Sequence, residues 1–256
     1  MELQSTLPTL AATGVVPFAV SYDPVAVLAD FAATRGITFP LLSDEGSRLI
    51  RALGILNTSV EPTQEHYGIP NPGTYLIGED GRVVDKIFHD TYRTRDAAAT
   101  TLREGFGLAV EAGGPQDRRE TGVLVAIAAM DSEGFVRGER IGLRVTIQIA
   151  PGVHIYGRPL PDGYIATHLA IEVPETVAVE DIQYPPPHAF HADWLDEELL
   201  VYEGEVTLTT ALTFAEQRED VTIMATLHFQ GCTTEECFIP ERLTFVLPMQ
   251  FRPFLP

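Results

Sequence analysis

Leu227-His228-Phe229-Gln230-Gly231-Cys232-Thr233-Thr234-Glu235-Glu236-Cys237-Phe238-Ile239-Pro240-Glu241 decides how this chain is read. It holds the only two cysteines among 256 residues. On an extended strand, positions 232 and 237 would face opposite ways and lie roughly 16 Å apart. A disulfide needs Cα atoms about 4.4–6.8 Å apart. The pair can bridge only if residues 233–236 turn the chain back. Four polar residues between the apolar runs 223–229 and 243–247 suit such a hairpin. Three readings stay open: a structural staple, half of a metal site, or a dithiol that cycles to a disulfide.

The neighbouring residues weigh these readings against one another. Closing a loop this short stabilises a fold by only about 2 kcal/mol in the chain-entropy view, which weakens the staple. A zinc site usually takes four ligands, yet there is no second cysteine pair and His228 is the only histidine close by. Glu235 and Glu236 lie between the cysteines, and no Lys or Arg follows until Arg242. Carboxylates disfavour a thiolate and raise its pKa, so such a thiol attacks peroxide poorly. It can still exchange disulfides with a partner that supplies the activated thiolate.

Composition bounds the rest. The length suits two ordinary domains. A net charge of −19 argues against nucleic-acid binding through a basic surface and favours solubility, or docking to a basic partner. No apolar run reaches the ~18–20 residues of a membrane span, so no membrane insertion of this chain is expected. Met1-Glu2-Leu3-Gln4-Ser5-Thr6 shows no signal-peptide pattern.

Two grammars divide the chain. Residues 15–107 read as α/β: a strand at 15–22, a helix capped by Asp23-Pro24 and closed by Gly36, and a strand at 37–42. A helix at 45–53, a hairpin over Gly78-Glu79-Asp80-Gly81 and a helix at 95–106 follow. Residues 108–119, with Gly113-Gly114-Pro115, read as a linker. From Val123 onward the pattern is β, with strands expected at 123–129, 140–149, 165–173, 204–214, 221–229 and 243–247. That grammar is expected of an antiparallel sandwich. The expected organisation is therefore a first domain at 1–107, a linker at 108–119 and a second domain at 120–256.

The first half resembles the thioredoxin-like fold, in the AhpC/TSA peroxiredoxin-like branch. The resemblance rests on Gly36-Ile37-Thr38-Phe39-Pro40-Leu41-Leu42-Ser43-Asp44, on Ile50-Arg51-Ala52-Leu53-Gly54 and on Gly73-Thr74-Tyr75-Leu76-Ile77-Gly78-Glu79-Asp80-Gly81-Arg82. The family's first strand and reactive cysteine have no counterpart, so the resemblance implies a truncated domain without peroxidase activity of its own. It also implies that strands 15–22 and 74–77 each lack a hydrogen-bonding neighbour, because the missing strand would lie between them. The expectation is that the chain is the downstream part of a longer natural protein or begins at a misassigned Met. Pro72 is the candidate for the proline this fold keeps in cis.

The second half resembles the N-terminal, immunoglobulin-like domain of the DsbD family of thiol:disulfide interchange proteins. The residues are Gly152-Val153-His154-Ile155-Tyr156, Leu200-Val201-Tyr202-Glu203-Gly204 and the stretch from Leu227 through Cys232 and Cys237 to Glu241. This resemblance implies that Cys232 and Cys237 are the exchanging pair. It implies a cap over them at His191-Ala192-Asp193-Trp194-Leu195-Asp196, with Trp194 or Leu195 as apolar lid and Asp193 or Tyr156 touching the site. It implies a thioredoxin-like or membrane-embedded donor as partner, and an extracytoplasmic, periplasmic setting. No cofactor is expected. The rival is a non-enzymatic interaction module with a structural Cys232–Cys237 disulfide and a redox-dead thioredoxin-like half. His188, His191 and Asp193 have loose metal-ligand character but read better as surface residues.

Overall fold

The computed structural model describes residues 2–89, 93–192 and 197–253. The chain forms two compact units, residues 1–110 and 111–256.

In the first unit, α1 (Glu2–Ser5) and α2 (Leu7–Ala12) precede β1 (Ala19–Ser21), α3 (Val25–Arg35), β2 (Leu41–Ser43) and α4 (Arg48–Ala52). The hairpin β3 (Gly73–Ile77) and β4 (Val83–Phe88) follows, then α5 (Ala98–Thr100), which continues as a π-turn at Thr101–Gly105. Gly36 ends α3 because the chain there takes φ 63°, a left-handed conformation that costs glycine nothing. Pro24, expected just inside α3, occupies its N-cap position, and the Asp23 carboxylate accepts from the Ser21 hydroxyl instead of capping the helix. Asp44 does cap: its carboxylate accepts the Leu49 and Ile50 amides ahead of α4, and these bonds hold it below the usual carboxylate range.

The strands of this unit do not join. Among the described residues, β1 pairs only with β2, in parallel, and β3 only with β4, antiparallel with a bulge at Leu76/Ile77. The expected strand at 15–22 shrinks to three residues, since Pro17 cannot donate to a ladder. The only cis peptide among the described residues lies before Pro159, so Pro72 is not the cis proline expected from the sequence.

The second unit opens with β5 (Gln116–Glu120), so residues 116–119, read from the sequence as linker, belong to a sheet. The further strands are β6 (Leu124–Met130), β7 (Gly134–Phe135), β8 (Glu139–Ile149), β9 (His154–Tyr156), β10 (His168–Glu172), β11 (Ala178–Val179) and β12 (His188–Ala192). After these come β13 (Glu197–Tyr202), β14 (Glu205–Thr213), β15 (Val221–Phe229), β16 (Gly231–Cys232) and β17 (Glu241–Phe251). One sheet runs β11-β14-β8-β6-β5 and a second β10-β15-β17-β7, whose β17–β7 pair is parallel. A third, smaller sheet runs β12-β13-β9-β16.

Alternation builds the main core. Along β15, Val221, Ile223, Ala225, Leu227 and Phe229 point inward while Thr222 and Met224 face water. β8 contributes Ile141, Leu143, Val145 and Ile147, and β17 contributes Phe245, Leu247 and Met249, all buried. Phe135 of β7 stacks on Phe214, just past β14, at 4.1 Å between ring centroids. Each such aromatic contributes about 1.5–3 kcal/mol through burial. No helix among the described residues is long and apolar enough to cross a membrane.

Candidate functional site

The third sheet positions the cysteines. β16 ends at Cys232, and the chain turns over residues 233–236 and returns at Cys237, which bridges back to Cys232. The Thr233 amide donates to the Glu236 carbonyl (2.8 Å), and the Thr233 hydroxyl accepts the amides of Glu235 (3.2 Å) and Glu236 (3.1 Å). This is a threonine-centred turn, the chemistry expected of a polar hairpin loop. Phe238 N–H donates to the Gly231 carbonyl (2.9 Å), and the Gln230 side-chain amide donates to the Phe238 carbonyl (3.0 Å), so both arms are pinned. Gly231 lies close to a neighbour: a Cβ there would sit 3.2 Å from Val123 Cβ, tighter than ordinary contact.

The hairpin brings Cys232 and Cys237 to a Cα separation of 4.0 Å, and their sulfurs are bonded. The two cysteines differ in exposure. Cys232 is 1% exposed, whereas Cys237 is exposed.

Tyr156 lies behind them. β9 pairs with β16 so that His154 stands opposite Cys232, which puts His154, Tyr156 and Cys232 on one face. The Tyr156 hydroxyl donates to Cys232 Sγ at 3.1 Å and lies 3.4 Å from Cys237 Sγ. Tyr156 is 1% exposed, and burial pushes its phenol above the ordinary value, so it remains a protonated donor through neutral pH. Leu199, Val201, Leu160, Tyr164 and Phe190 complete an apolar cluster around the pair. Tyr164 meets Tyr156 edge-on at 5.1 Å.

His154 is the buried titratable group beside this cluster. It is 3% exposed, with its ring centroid 4.4 Å from that of Phe190 and 5.5 Å from that of Tyr156. Burial lowers its pKa; nearby Glu203 raises it and His188 lowers it further. Those last two form their own pair at 3.0 Å, between β12 and the residue just past β13.

Of the residues singled out in the sequence, Cys232, Cys237 and Tyr156 come together. Asp193, Trp194 and Leu195 lie outside the described residues. His188 pairs with Glu203, and His191 sits opposite Glu198 in the β12–β13 register. Among the described residues no group of three or more metal-ligating side chains assembles. Sequence reasoning missed His154, Tyr164 and Phe190 as site neighbours. The i, i+2 spacing of His154 and Tyr156 was the available signal.

The fold and this site define a class: a β-domain that presents one cysteine pair on a hairpin, one cysteine buried against a tyrosine and the other exposed. Residues 126–248 match the family model described as thiol:disulfide interchange protein DsbD, N-terminal, and residues 1–86 match the AhpC/TSA family. Both resemblances read from the sequence hold. Among solved structures, the N-terminal periplasmic domain of ScsB from Proteus mirabilis is similar at 16% identity and TM-score 0.38. The match covers 54% of this chain and 51% of that one. This chain therefore spans about half the length of that relative. The reduced DsbD N-terminal domain of Neisseria meningitidis matches at 15% identity and TM-score 0.31, covering 43% of this chain and 78% of that one. The complex of the DsbD and PilB N-terminal domains from the same organism matches at 17% identity and TM-score 0.30, covering 41% and 73%. No curated protein matches the chain.

Proposed function

We propose that Cys232 and Cys237 carry out thiol–disulfide exchange with a thiol-bearing partner protein. The observation that carries this reading is the asymmetry of the pair: an exposed Cys237 beside a buried Cys232 whose sulfur receives the Tyr156 hydroxyl. The match of residues 126–248 to the DsbD N-terminal family supports it.

The steps follow from access and hydrogen bonding. An incoming thiolate attacks Cys237 Sγ, and a new S–S bond forms there as the Cys232–Cys237 bond breaks. The electron pair leaves on Cys232 Sγ, where the Tyr156 hydroxyl stabilises the developing thiolate. A second thiol of the partner then attacks its own sulfur in the mixed disulfide and releases Cys237. The partner's dithiol is oxidised to a disulfide, and this protein gains two electrons and two protons. Run in reverse, reduced Cys237 is the attacking sulfur and Cys232 resolves the intermediate.

The rest of the reading is proposed on the same basis. The second unit, residues 111–256, is an immunoglobulin-like β-sandwich domain, and Asp193, Trp194 and Leu195, which lie outside the described residues, are assigned the role of shielding the pair. The first unit is a thioredoxin-like domain without peroxidase chemistry of its own. The donor is a thioredoxin-like or membrane-embedded dithiol protein.

A redox titration of the whole chain in graded thiol/disulfide buffers, read by alkylation and mass spectrometry, tests the proposal. The expected result is a reversible midpoint between roughly −120 and −270 mV. A pair that stays oxidised well below about −300 mV overturns it in favour of a structural staple in an interaction module. Tyr156→Phe is expected to slow exchange with a neutral thiol by about threefold to tenfold, the loss of one hydrogen bond to a sulfur that is only partly charged in the transition state.

A further inference from the structure

The hairpin that carries the exposed Cys237 is acidic, apolar at its far end and rigidly held. We infer that it is a docking surface for a protein whose reactive cysteine is rimmed by Lys or Arg and offers an apolar contact to Ile239. This inference rests on the exchange reading and names the partner's chemistry.

The electrostatic half follows from where the charges stand. Glu235 and Glu236 immediately precede Cys237, both exposed, and neither forms an ion pair among the described residues. The Thr233 hydroxyl accepts the amides of both, so the backbone that carries the two carboxylates is held in the turn next to Cys237. Glu241 adds a third negative charge on the returning arm, and Arg242 is the only cation between residues 228 and 251. The attacking species in disulfide exchange is a thiolate. An anion approaching Cys237 therefore meets two carboxylates within roughly two residue lengths, about 7 Å. A partner with no compensating charge is repelled at the moment of attack. A basic rim removes that repulsion, and it also lowers the pKa of the partner's own thiol.

The apolar half follows from Ile239. Its side chain is 84% exposed, the most exposed large apolar side chain among the described residues, and it stands two residues beyond the attacked sulfur. The bonds at Phe238 hold the backbone beside it, so burying Ile239 costs little further ordering. An exposed apolar side chain on a held backbone, two residues from the reacting sulfur and flanked in sequence by Glu235, Glu236 and Glu241, has the layout of an interface anchor with a polar rim.

The test uses the full chain and three small thiols of different charge: cysteamine (cationic), 2-mercaptoethanol (neutral) and 3-mercaptopropionate (anionic). The rate of Cys232–Cys237 reduction by each is divided by its rate on the neutral disulfide of 2-mercaptoethanol, which cancels intrinsic nucleophilicity. At about 10 mM ionic strength the cationic thiol is expected to lead the anionic one by about tenfold. The lead should shrink below about twofold in 1 M salt. In the Glu235→Gln, Glu236→Gln double variant it should fall to about threefold or less. Two peptides, each with one cysteine between lysines and either leucine or serine beside it, then probe Ile239. The leucine peptide should react about threefold faster on the wild type, and the two should react equally on Ile239→Ser. If 2-mercaptoethanol reduces the pair reversibly but thiol charge makes no difference, the partner inference falls while the exchange reading stands. If no thiol reduces the pair, the exchange reading falls, and this inference falls with it.

Discussion

The two units spend similar apolar sequence in different ways. In the second, sheets of four or more strands give each inward side chain neighbours on several sides, and Phe135, Phe214, Phe229 and Phe245 are fully buried. In the first, two separate two-stranded sheets leave Val16, Phe18, Val25, Val27 and Val84 among the exposed large apolar residues. The difference lies in sheet completeness rather than composition. A two-stranded pair is marginal alone, because it offers no continuous face for helices to cover.

Substitution in the two cores tests this comparison most directly. Phe214→Ala removes the partner of Phe135 and is expected to cost about 3–5 kcal/mol in the urea unfolding of residues 111–256. Ile50→Ala in the first unit should cost no more than about 2 kcal/mol, since its surroundings can collapse into the space. Equal costs, measured by hydrogen exchange resolved to each unit, would break the contrast.

Acid gives a smaller and more selective effect. His154 has a folded pKa below its unfolded value of 6.5, so the folded state binds its proton less readily. Its contribution to stability is complete above pH 6.5 and is lost as pH falls below that value towards the folded pKa. The melting temperature of the second unit should therefore drop on acidification through this window, and His154→Phe should flatten the dependence. A first unit that melts in parallel would show that the effect is not local to His154.

The smallest effect belongs to the hairpin. Thr233→Ala removes the turn's side-chain bonds and should cost about 1 kcal/mol or less. The amides of Glu235 and Glu236 should exchange with solvent faster, and the β8, β14 and β15 amides should not change.

How much of this was legible depended on what set each element. Residues 221–229 were read to the residue because strict alternation marks a strand with one buried face. The cysteine hairpin was legible for the same kind of reason, since a polar quartet between apolar runs has few other uses. Strands β12 and β13 were not anticipated. Pro185, Pro186 and Pro187 and the acidic run around Glu197 and Glu198 look like loop, and the strands exist because β13 pairs with β9. Gln116–Glu120 was masked in the same way: QDRRE carries no apolar alternation, and only its edge pairing with β6 makes it a strand. Of the site, the cysteines and Tyr156 could be named from sequence. His154 was signalled only by its i, i+2 spacing from Tyr156, and Phe190 not at all, because the register of short strands brings it there.

That register has a consequence for how such a site changes over generations. The sulfurs rest on a small sheet with its own cluster of Tyr156, Leu199 and Val201, apart from the aromatic stack at Phe135 and Phe214. Mutation can therefore retune the chemistry, altering the tyrosine donor, the histidine or the hairpin charges, while the stack that keeps the domain folded stays untouched. Selection has a workshop here that can be refitted without disturbing the house.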